Sequence, residues 1–229
     1  MTTIPFRIVG FDLDGTLLDT SRDLGAAVNH ALAQVDRAPV PLNEVAGLIG
    51  GGARLMLSRA LDLTGGTEGI DLDALFAQLL DYYEANIAVH TALYPGAAAM
   101  LDALGAAGVR IAVVTNKRQH MTEKLFAELG LAGRFACVIG AGTYPLKPAP
   151  DALLAMVERC GGGRAAFVGD TTFDTGAARA AGLPSIAVSF GFCDAPPHEL
   201  GADAVIDHFD ELVPALRRFA GTAGLIRLA

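Results

Sequence analysis

Short, densely apolar runs alternate along the chain with longer stretches whose apolar residues recur every three or four positions. Short runs bounded by turn residues predict buried strands, and the 3.6-residue period predicts amphipathic helices. Ile8–Phe11 is the first apolar run; it delivers Asp12 and Asp14 and breaks at Gly15. Leu17, Leu24, Ala27, Val28, Ala31 and Leu32 then fit a helix over 21–35, stopped by Pro39 and Pro41. A second helical stretch over 43–61 is interrupted by Gly50-Gly51-Gly52, and a third, amphipathic, spans 72–87 after Asp71. No strand is predicted between residues 20 and 90. The character changes at Tyr94-Pro95-Gly96. Beyond it, predicted strands (109–114, 136–139, 165–168, 185–188, 204–206) alternate with predicted helices (97–107, 119–129, 147–160, 172–181, 211–219). In the helix over 147–160, Pro148 is expected near the first helical position.

Strand–helix alternation implies a parallel sheet covered on both faces. The first strand belongs to that sheet but is separated from the others by the helical block. The expected fold class is therefore α/β, with an all-helical insert (20–91) emerging after the first strand of a core built from 1–19 and 92–229. Hinges are expected at 16–21 and 91–96.

Four polar clusters fall at the carboxyl ends of four predicted strands: Asp12 and Asp14, Thr115 and Asn116, Lys147, and Asp170 with Asp174. Parallel strands point the same way, so all four converge on the edge where open α/β sheets bind ligands. Two like charges at a buried strand end call for a cation beside them. An Asp-Gly pair alone makes a turn, but D-x-D-G-T arises by chance only about once in 10⁵ positions at average composition. The carboxylates Asp12, Asp14 and Asp170, with no His or Cys cluster, favour Mg²⁺ over zinc. Lys147, Thr115 and backbone N–H groups in the turns can meet a phosphate. One carboxylate can attack phosphorus, and a second can move protons to and from oxygen. Alone, Lys147 would read as a surface lysine and Thr115, Asn116 and Asp174 as turn or cap residues; their joint placement lifts them above that.

The remaining composition narrows the possibilities. With 229 residues, 52% hydrophobic and 18% charged, the chain is long enough for a sizeable core. A formal net charge of −8 argues against nucleic acid or an anionic membrane surface as partner. No run reaches the length of a membrane span, and the N-terminus does not read as a signal peptide. Cys137, Cys160 and Cys193 show no paired spacing and read as free thiols in a reducing cytoplasm. The five histidines show no partner spacing.

These motifs carry a resemblance over essentially the whole chain. D-x-D-G-T, V-V-T-N, Lys147 in K-P-A-P, and G-D-T-T-F-D, in that order, resemble the haloacid dehalogenase-like superfamily. The match is to its phosphatase branch, with a Rossmann-like core and a helical cap inserted after the first strand. The opening FDLDGTLLDT, Ile49-Gly50-Gly51-Gly52 and Lys-Pro-x-Pro look most like phosphoglycolate phosphatases. The resemblance implies Asp12 as nucleophile and Asp14 as general acid and base. It implies Mg²⁺ held by Asp12, the backbone carbonyl of Asp14, and Asp170. Thr115 and Lys147 would hold the phosphoryl oxygens, and Asn116 would position the transferring group. Asp174 would hold metal-bound water or orient Lys147. Asp14 speaks against dehalogenase chemistry. The absence of a lysine from 20–91 speaks against a Schiff base, and Arg22, where the similar mutases place a histidine, speaks against a mutase.

Selectivity is expected from the helical insert. The Gly50–Gly52 stretch would let backbone approach a ligand closely, or would simply break a helix. Arg54 is the candidate for a substrate carboxylate and Arg22 a weaker one. The expectation is a cytoplasmic, Mg²⁺-dependent phosphatase, monomer or homodimer, acting on a small phosphate monoester such as 2-phosphoglycolate through an aspartyl-phosphate. Alternatives are a phosphatase for a sugar phosphate, nucleotide or pyrophosphate, or a phospho-ligand-binding module without turnover.

Overall fold

Strand β1 (Ile8–Phe11) is buried at all four positions because it runs between two parallel neighbours. The computed structural model, which describes residues 3–221, places it third in a six-stranded parallel sheet of order β5-β4-β1-β6-β7-β8. The other members are β4 (Arg110–Arg118), β5 (Cys137–Ala141), β6 (Ala165–Gly169), β7 (Ser185–Val188) and β8 (Ala204–Ile206). Parallel neighbours cannot be joined by tight hairpins. Helices α5 (Ala97–Ala106), α6 (Gln119–Glu128), α7 (Asp151–Arg159) and α8 (Thr172–Ala180) provide connections, and α9 (Leu212–Arg218) follows the last strand. Successive strand residues face opposite sides, so Val9 and Phe11 enter one apolar cluster while Ile8 enters the other, with Met156 and Phe167. Gly10 leaves the space that Met156 fills; a Cβ there would overlap the methionine sulfur.

Between β1 and β4 the described chain forms α1 (Ser21–Ala33), α2 (Leu42–Val45), a 3-10 turn (Ala46–Leu48), α3 (Ala53–Thr64) and α4 (Leu72–Ala85). Leu24, Val28 and Leu32 of α1 share a core with Leu75, Leu79 and Tyr83 of α4. Asp71 caps α4 by accepting from the N–H groups of Asp73 and Ala74.

Three predicted elements differ. The helical stretch over 43–61 divides, because Gly50, Gly51 and Gly52 all take positive φ (100°, 71° and 98°), leaving α3 to start at Ala53. The helix expected over 147–160 begins only at Asp151, with Pro150 at its N-cap and a cis Lys147-Pro148 bond ahead of it. Pro148 is thus not near the first helical position; residues 147–150 form the loop that carries Lys147. The second sheet strand runs on to Arg118, past a register shift after Val114, so Thr115 and Asn116 lie within it.

The two segments expected as hinges pair as a short antiparallel ribbon, β2 (Leu18–Asp19) with β3 (Ala92–Leu93). Beside it, the carboxylate of Asp23, 2% exposed on α1, accepts from the N–H of His90 (2.9 Å) and from both the N–H (2.9 Å) and hydroxyl (2.8 Å) of Thr91. One side chain thus ties the entry into the helices to the exit from them. Asp23→Ala strands two buried donors and should cost about 2–4 kcal/mol. A urea melt should show a lower midpoint with an unchanged slope.

Candidate functional site

The site begins where β1 ends. The Asp12 N–H donates to Val168 O (2.8 Å), which extends the ladder by one residue and fixes the carboxylate at the sheet edge. The chain then turns on the Leu13 carbonyl, which accepts from Leu17 and Leu18 at 3.0 Å. Gly15 holds φ at 85°, and a Cβ there would overlap the carboxylate of Asp170. Thr16 Oγ donates to Asp170 Oδ1 (2.8 Å), joining this turn to the loop after β6.

Lys147, 4% exposed, is the hub. Its Nζ donates to Asp12 Oδ1 (2.6 Å), Asp174 Oδ1 (2.6 Å) and Val114 O (3.0 Å), so all three ammonium protons are used. Each partner is held in turn. Asp174 Oδ2 accepts from the Thr171 hydroxyl (2.7 Å) and N–H (3.0 Å) at the start of α8, a reciprocal cap. Asp170 Oδ2 accepts from the Phe192 N–H (2.7 Å). Asn116 clamps the Lys147 backbone, its Oδ1 accepting from Lys147 N (2.9 Å) and its Nδ2 donating to Lys147 O (3.2 Å).

Burial dominates the electrostatics. It pushes the Asp12 carboxyl up to about 7, against the pull of Lys147 and with the push of Asp174. It also raises Asp170 well above the ordinary carboxylate range, with Asp174 and Asp12 adding to the rise. Burial alone would lower Lys147, but Asp12 and Asp174 outweigh it and hold the ammonium charged.

Ligand oxygens of Asp12, Asp170 and Asp174 lie within 4.8 Å of one another, all buried. The set is oxygen only, and once Asp12 and Asp170 release their protons, three carboxylates against one ammonium leave excess negative charge. Asp12 Oδ2 has no donor among the described residues. This donor set fits a hard divalent cation. Asp174 has both oxygens committed to Lys147 and the α8 cap, so Asp12 and Asp170 are the more available ligands. The Asp14 side chain stands apart from the cluster: Lys117 Nζ donates to its Oδ1 (2.8 Å) and Oδ2 (2.9 Å).

The structure gathers Asp12, Asp14, Thr115, Asn116, Lys147, Asp170 and Asp174 around one cavity of about 220 Å³, whose far wall is the helical insert. Gly50–Gly52 line it. A Cβ at Gly51 would overlap Leu55 and Phe173, whereas at Gly50 and Gly52 it would meet only ordinary contacts, so there the positive φ, which breaks the helix, is what calls for glycine. Arg54 also lines it but is half-exposed and paired with Asp73 (2.5 Å), its guanidinium 5.4 Å from the Phe76 ring centre. Arg22 is not among the lining residues. The lining residues that escaped the sequence reading include two cations. Arg118 lies against the same Phe76 ring at 5.5 Å. The Lys117 side chain is only 5% exposed, although surface lysines are the rule. The available signal was its position: one of only three lysines in the chain, directly after V-V-T-N.

The family model for haloacid dehalogenase-like hydrolases matches residues 6–182. The chain belongs to that family. It is similar to the phosphoglycolate phosphatase of Agrobacterium fabrum, 42% identical over 94% of this chain and 95% of the relative. It is also similar to that of Caulobacter vibrioides, 39% identical over 88% and 86%. A crystal structure of a predicted phosphoglycolate phosphatase from Haemophilus somnus superposes with a TM-score of 0.85 at 29% identity, covering 92% of this chain and 97% of that one. Family, relatives and site chemistry make this member a phosphoric monoester hydrolase. No helix among its described residues is long and apolar enough to cross a membrane.

The raised carboxyls set a sign for metal and pH. Folded Asp12 and Asp170 keep protons that the unfolded chain releases near pH 4. Their contribution to metal-free stability is therefore full below pH 4 and is lost as pH rises, through about 7 for Asp12. A divalent cation bound by these carboxylates would replace those protons. Saturating Mg²⁺ should raise the melting temperature by about 5–10 °C at pH 8 and much less at pH 5, read by thermal denaturation with and without EDTA.

Proposed function

We propose that this phosphatase hydrolyses 2-phosphoglycolate in two steps, through a phosphorylated Asp12. The observation that carries the reading is the buried Lys147 ammonium, 2.6 Å from both Asp12 and Asp174, two members of the carboxylate cluster that Asp170 completes. It orients a nucleophile and a cation site at one point, and the relatives' names supply the substrate.

Lys147 occupies Asp12 Oδ1, which leaves Oδ2 to attack phosphorus. The Oδ2–P bond forms as the bond from phosphorus to the glycolate oxygen breaks, and Asp14, entering this step protonated, gives that oxygen its proton and becomes the carboxylate that serves as base in the next. Water then attacks the phosphorus of phospho-Asp12, Asp14 takes a proton from it, and phosphate leaves. Thr115 and Lys147 hold the phosphoryl oxygens, while Asn116 acts on the transferring group through its clamp on Lys147. Asp12, the Asp14 carbonyl and Asp170 would hold Mg²⁺, which supplies charge neutralisation on the phosphoryl group when bound. Asp174 acts mainly by orienting Lys147. Residues 20–91 serve as a cap over the core of 1–19 and 92–229, excluding water from the site.

Asp12→Asn keeps the shape and removes the nucleophile; turnover of 2-phosphoglycolate should fall at least ~10³-fold while the circular dichroism spectrum is unchanged. EDTA should abolish turnover and Mg²⁺ restore it. Arg54, swinging from Asp73 to the substrate carboxylate, contributes a charge-assisted contact. Arg54→Ala should raise KM for 2-phosphoglycolate about tenfold and leave p-nitrophenyl phosphate within about twofold. Equal losses on both would assign the carboxylate to another cation at the rim.

A further inference from the structure

One buried cation takes no part in holding phosphate. Lys117 ends the run V-V-T-N-K on β4, and its Nζ donates to Asp14 Oδ1 (2.8 Å), Asp14 Oδ2 (2.9 Å) and the Tyr83 hydroxyl oxygen (2.9 Å). Those contacts use all three ammonium protons. The side chains of Lys117 and Asp14 are 5% and 15% exposed, and Tyr83 is buried. The ammonium also stands 4.6 Å from the Tyr83 ring centre. Asp14 belongs to the turn after β1, Lys117 to the end of β4, and Tyr83 to α4 in the helical insert. One ammonium therefore fastens three segments that meet only when the helices lie over the sheet edge.

The charge state suits a fastening. Burial alone would lower Lys117, but Asp14 and Tyr83 outweigh it and keep it an ammonium. Burial pushes Tyr83 up to about 12, so it stays a neutral phenol whose oxygen can accept. Lys117 takes one lone pair on each Asp14 oxygen. A carboxyl group has about four lone-pair sites, so Asp14 is held in orientation with a site left to carry the proton it passes to a leaving oxygen.

We propose that Lys117 and Tyr83 are positioning residues for Asp14: the phenol on the helical insert holds the ammonium, and the ammonium aims the carboxylate at the leaving group. This rests on the phosphatase reading above. Its consequence is that proton delivery is assembled only with the helices seated, whereas attack by Asp12 is prepared within the sheet edge alone.

The test compares kcat/KM, which reports the first phosphoryl transfer, on two substrates. Glycolate leaves as a strongly basic alkoxide unless it receives a proton; p-nitrophenolate leaves readily without one. Tyr83→Phe, which keeps the ring, and Lys117→Met should each lower kcat/KM on 2-phosphoglycolate by about tenfold to a hundredfold. On p-nitrophenyl phosphate the loss should stay within about threefold. In an Asp14→Asn background neither substitution should cost anything further. Equal losses on both substrates, or losses that persist without Asp14, would mean that the contact only supports the fold, and the proposal fails while the phosphatase reading stands. A parent enzyme that turns over neither substrate overturns both.

Discussion

Three carboxylates and one ammonium buried at the edge of a parallel sheet are the constraint on which the structure depends. Asp12 and Asp174 bond Lys147, and Asp170 stands beside the two carboxylates, at a place where water does not pay the cost of charge. The neighbouring chain is organised to keep them there. Asn116 grips the backbone of Lys147, Thr171 caps α8 onto Asp174, and Thr16 and Phe192 hold Asp170 from two sides. Even the glycine of the first motif has a steric reason, since a side chain at Gly15 would displace the Asp170 carboxylate. With all three carboxyls ionised the cluster would carry net negative charge, which a bound divalent cation would neutralise.

The helical insert meets this edge with different chemistry. Its contribution to the cavity wall includes Met56, Phe76 and Leu79, together with the Gly50–Gly52 backbone. Apolar side chains above a charged edge lower the local dielectric and strengthen every interaction on a phosphoryl group. The β2–β3 ribbon and the Asp23 bonds to His90 and Thr91 bring both connections to one spot, so the insert is tied to the sheet at a narrow neck. Its polar link to the site itself is Tyr83, acting through Lys117 on Asp14.

The order of elements was legible because each rests on local periodicity. Ile8–Phe11, Ser185–Val188 and Ala204–Ile206 coincide with the predicted strands, and the helices fall where their apolar spacing requires. The convergence of Asp12, Thr115, Lys147 and Asp170 on one edge was legible too, because parallel strands leave no other arrangement. The boundaries near 43–61 and 147–160 were not, since three consecutive positive φ angles and the loop that delivers Lys147 answer to partners far along the chain.

Partner choice marks the same division more sharply. The sequence alone determined which residue types stand at the carboxyl ends of which strands, and with them the chemistry available, because strand direction and period are local properties. Tertiary structure alone decided that Lys117 binds Asp14, 103 positions away, that Arg54 rests on Asp73, and that the Asn116 amide is spent on Lys147. A long side chain can reach many neighbours, and only the packed fold sets which of them lies within hydrogen-bond distance.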